Sequence, residues 1–239
     1  MTSQDEFLSP KLTPETLDIF WTRTTILSAL KETLPYFSET LLDVGCGYMP
    51  YKSLILKSPS SVKNYIGLDL EDNIYQKPDL VWDGKTIPLE DCSVDCAMAT
   101  EVFEHCPEPE IVMKEIWRVL KPGGIIFFSV PFLWNLHAVP YDEYRYTPFS
   151  LKRHLSKSGF KSIKIQALGG WDAALAQMLG LWVRRRFQFS GKQSLLRSIL
   201  SRLLFPIIWL LIKLDQLPEQ FNEGLMITGL SGTAIKPEK

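Results

Sequence analysis

The stretch Leu41-Leu42-Asp43-Val44-Gly45-Cys46-Gly47-Tyr48-Met49-Pro50 restricts the fold of this chain more than any other. A short apolar run ends in a carboxylate and then in two glycines one residue apart. The run predicts a buried strand, and the glycines predict a tight turn at a binding edge. Gly45 and Gly47 let the backbone bend and approach a ligand where a Cβ would collide. In an open parallel sheet, ligands lie beyond the carboxyl ends of the strands, beside the first such turn. Tyr65-Ile66-Gly67-Leu68-Asp69-Leu70 is a second apolar run that meets an acid, and Asp69 follows Gly47 by 22 residues. In nucleotide-binding units, at a distance of roughly 20 residues, the second strand offers an acid to ribose hydroxyls. The plainer alternative is that Asp43 and Asp69 are turn or capping residues.

Further along, the pattern alternates. Asp79 to Gly84 predicts a short third strand, and Val94 to Ala99 a fourth. Pro107-Glu108-Pro109 opens a helix over 109–120, which Lys121-Pro122-Gly123-Gly124 stops. Ile125 to Val130 is nearly all apolar, as a central strand covered on both faces must be. A helix is expected over 50–58, another from Pro148 to Ser158, a strand over 161–168, and a last strand over 225–235 with a bend at Gly229. Ahead of all this, Thr13-Pro14-Glu15 predicts a helix start, and Leu17, Phe20, Trp21, Thr24, Leu27 and Leu30 recur at helical spacing. Strands alternating with helices give a doubly wound, mostly parallel α/β sheet in a single domain over 1–239. A helical arm (1–38) and a helical insertion (171–221) flank it.

Charge is unevenly spread. Residues 151–239 carry 14 Lys/Arg against 5 Asp/Glu, a net of +9, and residues 1–150 carry 12 against 22, a net of −10. That asymmetry predicts a basic face toward something anionic. Cys46, Cys92, Cys96 and Cys106 form no CxxC pair, and no secretory signal peptide is evident. Reduced thiols and a cytoplasmic location are expected. The spacing of Cys92, Cys96, His105 and Cys106 fits no common zinc module, so no metal is expected.

Leu42 to Gly47, Gly67-Leu68-Asp69, Asp83-Gly84 with Ile87-Pro88-Leu89, Thr100-Glu101-Val102-Phe103-Glu104-His105 and Glu115 to Gly124 together resemble the class I S-adenosylmethionine-dependent methyltransferases. The type 11 subfamily is the nearest group, over roughly residues 40–168. The resemblance implies a Rossmann-like seven-stranded sheet with an antiparallel last strand. It implies S-adenosyl-L-methionine as cofactor. Asp43, Gly45, Cys46 and Gly47 match the loop that cradles its methionine part. Asp69, with Leu70 beside it, matches the ribose position, and Asp83 with Gly84 the adenine position. Thr100 and Glu101 match the strand end near the sulfonium. Many members have a third glycine where this chain has Met49. Methyl transfer from a sulfonium needs alignment in a dry pocket, and a base only if the acceptor must lose a proton.

Two regions are expected to face that acceptor. His105 follows the fourth strand and is a candidate base, or a structural histidine. The loop Pro131 to Pro148 gathers His137, Asp142, Tyr144, Arg145 and Tyr146. His137 can take a proton from a hydroxyl. Asp142, Tyr144, Arg145 and Tyr146 are candidate acceptor contacts, with Arg145 suited to a phosphate or carboxylate. The alternative is an Asp142–Arg145 pair that shapes the loop under tyrosine lids. This loop also resembles methyltransferases encoded with bacterial surface-polysaccharide synthesis.

The insertion is basic and apolar. Arg184-Arg185-Arg186-Phe187 sits beside aromatics, and residues 203–212 are apolar all round. Ten residues are too few to cross a bilayer, and Pro206 predicts a kink. The segment 181–214 is expected at a membrane surface, over the acceptor pocket, at a homodimer face, or in the core. The expected activity is methyl transfer to a small metabolite, a glycan or a lipid-linked acceptor, most simply at oxygen. The location is then cytoplasmic, at the inner face of the membrane if the segment binds lipid. A non-catalytic cofactor-binding module is one alternative. A nucleic-acid methyltransferase is the other, disfavoured by the acidic first 150 residues and the missing Asn/Asp-Pro-Pro-Tyr/Phe signature. No nucleic-acid partner is expected.

Overall fold

The computed structural model describes residues 3–186 and 192–238. Its chain order is α1 (Ser3–Leu8), α2 (Phe20–Thr33), β1 (Ser38–Val44), α3 (Lys52–Ile55), β2 (Ser61–Leu70), β3 (Leu80–Trp82), β4 (Val94–Thr100), α4 (Pro109–Val119), β5 (Leu120–Pro131), α5 (Pro148–Lys157), β6 (Lys161–Ala167), α6 (Trp171–Arg185), α7 (Lys192–Leu214) and β7 (Gly229–Ile235). The seven strands form one sheet in the order β3-β2-β1-β4-β5-β7-β6. Pairs β1–β2, β1–β4, β2–β3 and β4–β5 are parallel. β7 lies antiparallel to β5, and just past its end Lys236 exchanges bonds in both directions with β5, Gly123 N–H to the Lys236 carbonyl and Lys236 N–H to the Gly124 carbonyl. This is the doubly wound sheet that the alternation predicts.

The chain separates into two compact units. One comprises residues 29–131, 136–165 and 231–239, and the other residues 1–28, 132–135 and 166–230. In the first, Leu41, Leu42, Val44, Ala97, Met98, Ala99, Phe127, Phe128 and Val130 are buried. These central strands are apolar on both faces because both are covered. Register fixes the working edge: Val44 lies opposite Leu68 and Ala99, and Thr100 opposite Ser129. The residues after β1, β2 and β4 therefore emerge together. α4 seats Val112, Met113, Ile116 and Val119 in the core. α5 starts at a capping box between Thr147 and Ser150, with Pro148 in its first turn. Lys236 is buried and stitches β7 to the rest: its ammonium donates to the Leu120 carbonyl at 2.6 Å and lies 4.1 Å from the Trp117 ring centre.

In the second unit, α6 and α7 pack together around Leu17, Ala176, Val183 and Ile208. Leu200, Leu204, Leu211 and Ile212 extend that contact along one stripe of α7. Gly180 is required there, because a Cβ would stand 2.2 Å from the Leu17 carbonyl oxygen.

Several local expectations change. Thr13-Pro14-Glu15 forms a turn closed by Thr16 N–H to the Thr13 carbonyl, and α2 begins only at Phe20. Over 50–58 only Lys52–Ile55 is helical, since Pro50 and Pro59 leave little room between them. β5 starts at Leu120, earlier than its apolar run, because Lys121 to Gly124 are drawn into strand pairing. The last strand begins at Gly229, where a bend was expected. The helical stripe expected across Pro206 does form one helix of 23 residues. By length and composition, Ser194–Leu214 is enough to cross a membrane, which revises the reading of a ten-residue core.

Candidate active site

The edge past β1 is built by left-handed backbone. Gly45 has φ +66° and Gly47 φ +49°. The Gly45 and Cys46 N–H groups both donate to the Leu68 carbonyl, at 2.9 and 3.1 Å, which folds the loop toward β2. An added Cβ on Gly45 would meet Val102 Cγ2 at 2.6 Å. Met49, at the position where the resemblance implies a third glycine, also has a left-handed φ of +49°. Its terminal methyl fills the space beside Gly67, only 2.4 Å from where a Cβ would stand there. The loop thus keeps its shape without the third glycine, at a strain cost of about 1 kcal/mol.

Asp69 closes this loop. Its Oδ2 accepts from Gly47 N–H at 2.8 Å and from the Asn73 side chain at 3.0 Å, and its Oδ1 from Leu70 N–H at 2.8 Å. Asp43 is buried beneath. Tyr65 donates its hydroxyl hydrogen to Asp43 Oδ2, while Oδ1 has no partner among the described residues. Burial raises the Asp43 carboxyl to about 7, against the opposing Tyr65 bond. Cys46 is also buried, and burial pushes its thiol well above the usual range. Asp83 lies in the exposed turn after β3. Its Oδ1 accepts from the N–H groups of Thr86 and Lys85, which hold its carboxyl below the usual range. Gly84 follows with φ +79°. Leu70 is partly exposed at the same edge. Thr100 ends β4, and Glu101 sits just beyond with φ +56°, its carboxylate accepting from the Ser129 hydroxyl at 2.8 Å. A left-handed glutamate at a strand end is the kind of local strain that clusters at working sites.

A second polar group forms after β4. His105 and His137 meet edge to face, ring centres 4.7 Å apart. Both point Nε2 toward Glu104 Oε1, at 3.7 and 4.0 Å. His105 Nδ1 lies 2.9 Å from the Tyr141 carbonyl. His137 Nδ1 lies 3.3 Å from Asp142 Oδ2, a contact too poorly aligned for a good hydrogen bond. Burial lowers the His137 pKa, partly opposed by the Asp142 charge. Burial raises Glu104 far above the usual carboxyl range, with the Glu101 charge adding to it. The Glu104 carbonyl accepts from Glu143 and Tyr144 N–H, which pins the 136–145 loop to the end of β4.

The loop residues divide. Arg145 grips Asp142 with two hydrogen bonds, 2.6 and 2.8 Å, and holds that carboxyl well below its usual range. This is the loop-shaping pair named as an alternative. Tyr144 is half-exposed and donates to the Pro107 carbonyl at 3.0 Å. Tyr146 is placed in the interior, its hydroxyl donating to the Phe103 carbonyl at 2.9 Å, so no face is left open for an acceptor. Two contributors were not singled out from sequence. Tyr65 is a strand residue with no motif. Glu104 stands within the Glu101-to-His105 run, and its adjacency to His105 was the available signal.

In the other unit, Arg184 and Arg185 both reach Asp18, at 3.8 and 2.7 Å, and Arg186 lies over the Trp182 ring at 5.8 Å. Phe187 and residues 188–191 lie outside the described residues. The arginine cluster is thus partly neutralised within the protein.

Residues 42–128 match a family model described as "Methyltransferase domain". A 37.1 kDa protein in transposon TN4556 of Streptomyces fradiae is 30% identical over 44% of this chain, and the match spans only about a third (33%) of that relative's length. Demethylmenaquinone methyltransferase of Staphylococcus saprophyticus is 25% identical over 61% of this chain and 80% of its own. A crystal structure of a SAM-dependent methyltransferase from Archaeoglobus fulgidus shares the fold, with a TM-score of 0.54 at 17% identity, over 97% of each chain.

Proposed function

We propose, on the premise that residues 42–128 carry the methyltransferase domain of the class I, type 11 family, that this protein transfers the methyl group of S-adenosylmethionine to oxygen of a small metabolite, glycan or lipid-linked acceptor. One observation carries the reading. The left-handed Gly45–Gly47 loop and the Asp69 carboxylate are locked together by the 2.8 Å bond from Gly47 N–H.

The residues fit the cofactor. Asp43 Oδ1 has no hydrogen-bond partner among the described residues, and the loop bends where a Cβ would clash. Asp43, Gly45, Cys46 and Gly47 would hold the methionine part, Asp69 and Leu70 the ribose, and Asp83 with Gly84 the adenine. Bound S-adenosylmethionine supplies a methyl on a good leaving group, so the protein contributes mainly alignment and exclusion of water. Thr100 and Glu101 border that position from β4. A hydroxyl acceptor also has to lose a proton, and the His105–His137–Glu104 group is where this chain can handle it. Arg145 and Asp142 set the loop that brings His137 there, and Tyr144 remains a candidate acceptor contact.

The acceptor's solubility is suggested by α7. Leu195, Leu203, Ile207, Trp209, Leu210 and Leu214 are each 47 to 66% exposed on the helix. Within Ser194–Leu214 the most apolar 18 residues are almost all left unburied, with only 11% of that window buried. Such a stripe favours a lipid surface, and one relative is named a demethylmenaquinone methyltransferase. These two features support our reading of a peripheral location at the inner face of the membrane.

The test is calorimetric titration of S-adenosylmethionine and S-adenosylhomocysteine into wild type and Asp69→Ala. Micromolar binding, weakened about ten-fold or roughly 1.4 kcal/mol by the substitution, is the expected result. Folded wild type that takes up neither ligand would overturn the reading.

A further inference from the structure

Glu104 is an anomaly outside the cofactor loop. It is fully buried, yet neither carboxylate oxygen has a hydrogen-bond partner among the described residues. A buried carboxylate without a donor is costly as an anion, and it calls for either a proton or a cation. What faces it is specific. Two imidazole Nε2 atoms, from His105 and His137, lie 3.7 and 4.0 Å from Oε1, and all three ligand atoms fall within 4.8 Å of one another. Neither separation is a hydrogen bond.

The far side of each ring is occupied. His105 Nδ1 meets the Tyr141 carbonyl, which fixes the hydrogen on Nδ1 and leaves a lone pair on Nε2. His137 Nδ1 faces Asp142, which Arg145 holds by both oxygens. The carbonyl behind His105 is the outer partner that metal-ligating histidines use, and behind His137 the Asp142 carboxylate stands 3.3 Å from Nδ1, close enough to take up that role with a small turn of the ring. Bond lengths near 2.1 Å place tetrahedral ligands about 3.4 Å apart, so the two oxygen–nitrogen separations of 3.7 and 4.0 Å need to shorten by only about 0.3 and 0.6 Å.

We propose that Glu104, His105 and His137 bind a divalent transition-metal ion of the zinc, manganese or iron type through Oε1 and the two Nε2 atoms. Two nitrogens and one oxygen suit those ions better than calcium or magnesium, which prefer oxygen alone. Both histidine side chains are about a quarter exposed, 26 and 29%, so a further ligand to the ion would enter from the histidine side. An acceptor oxygen in that position would lose its proton more readily. That chemical role rests on the methyl-transfer reading; the binding of the ion does not.

The experiment uses the full chain, stripped with a chelator and titrated with Co²⁺ by absorption and with Zn²⁺ by calorimetry, without S-adenosylmethionine. About one ion per chain is expected, with visible cobalt bands. Glu104→Gln and His137→Gln should each weaken binding by at least about ten-fold. Asp142→Asn should weaken it less. Circular dichroism on each variant verifies the fold, and Glu104→Gln removes only a buried charge. Folded wild type that binds neither ion would overturn the site, leaving a proton on Glu104 as its neutraliser. Binding that all three substitutions leave unchanged would overturn it too, as an adventitious ion elsewhere. Cofactor titration on the same samples is a separate readout, so failure of one reading leaves the other visible.

Discussion

Asp43 turns burial into pH dependence. Its folded carboxyl titrates at about 7 against 3.8 in the reference state. Below the lower value both states hold the proton and nothing is lost. As pH rises from about 4 to 7, the unfolded chain releases its proton while the folded one keeps it, so stability falls; above 7 the loss is complete. At 1.4 kcal/mol per unit, the loss is at most about 4 kcal/mol. Asp43→Asn keeps an acceptor for Tyr65 and removes this titration. Urea denaturation of the unliganded proteins at pH 4.5 and 7.5 should show wild type losing more stability than the variant, and parallel changes would refute the argument. Gly45→Ala is a sharper steric test. It needs a left-handed alanine and a shift of buried Val102, together about 2 to 4 kcal/mol. Its unfolding midpoint should drop and cofactor binding should weaken with it; an unchanged midpoint would mean that the loop relaxes freely.

At the scale of elements, α6 and α7 share one buried stripe and leave another bare. Replacing Ile207 and Leu210 by glutamate touches only exposed positions, so stability should change by less than about 0.5 kcal/mol each. Flotation with anionic liposomes should be lost in this double variant and retained in wild type. Wild type that stays at the bottom would refute lipid contact. Strands were the most legible elements: β1, β2 and β4 each end at or just before an acid or, for β1, a glycine loop, and chain order placed those ends together. Helix limits were less legible. Thr13-Pro14 carries good starting chemistry, but Thr16 closes a turn there instead. Pro206 predicts a kink, and the helix runs on past it, packed through Leu204 and Ile208. The candidate site shows the same limit. Spacing located Asp69 and the glycine loop. It could not show that Tyr146 points inward, that Arg145 is spent on Asp142, or that His137 joins His105 at the Glu104 carboxylate from 33 residues away. Those are facts of packing.

Over the whole molecule, the charge asymmetry read from sequence and the bare stripe of α7 fall in the same C-terminal stretch, although Arg184 and Arg185 are engaged by Asp18. The attraction of that stretch for a bilayer would then be chiefly apolar, and raising salt should weaken liposome binding little. A steep loss of flotation between low and high salt would instead assign the contact to the remaining lysines and arginines. The bare stripe of α7 also bears on how the protein would meet its acceptor. A molecule resting in the headgroup layer searches in two dimensions rather than three. An acceptor dissolved in the same layer is met at its density in that film, and its scarcity in the surrounding water ceases to set the rate.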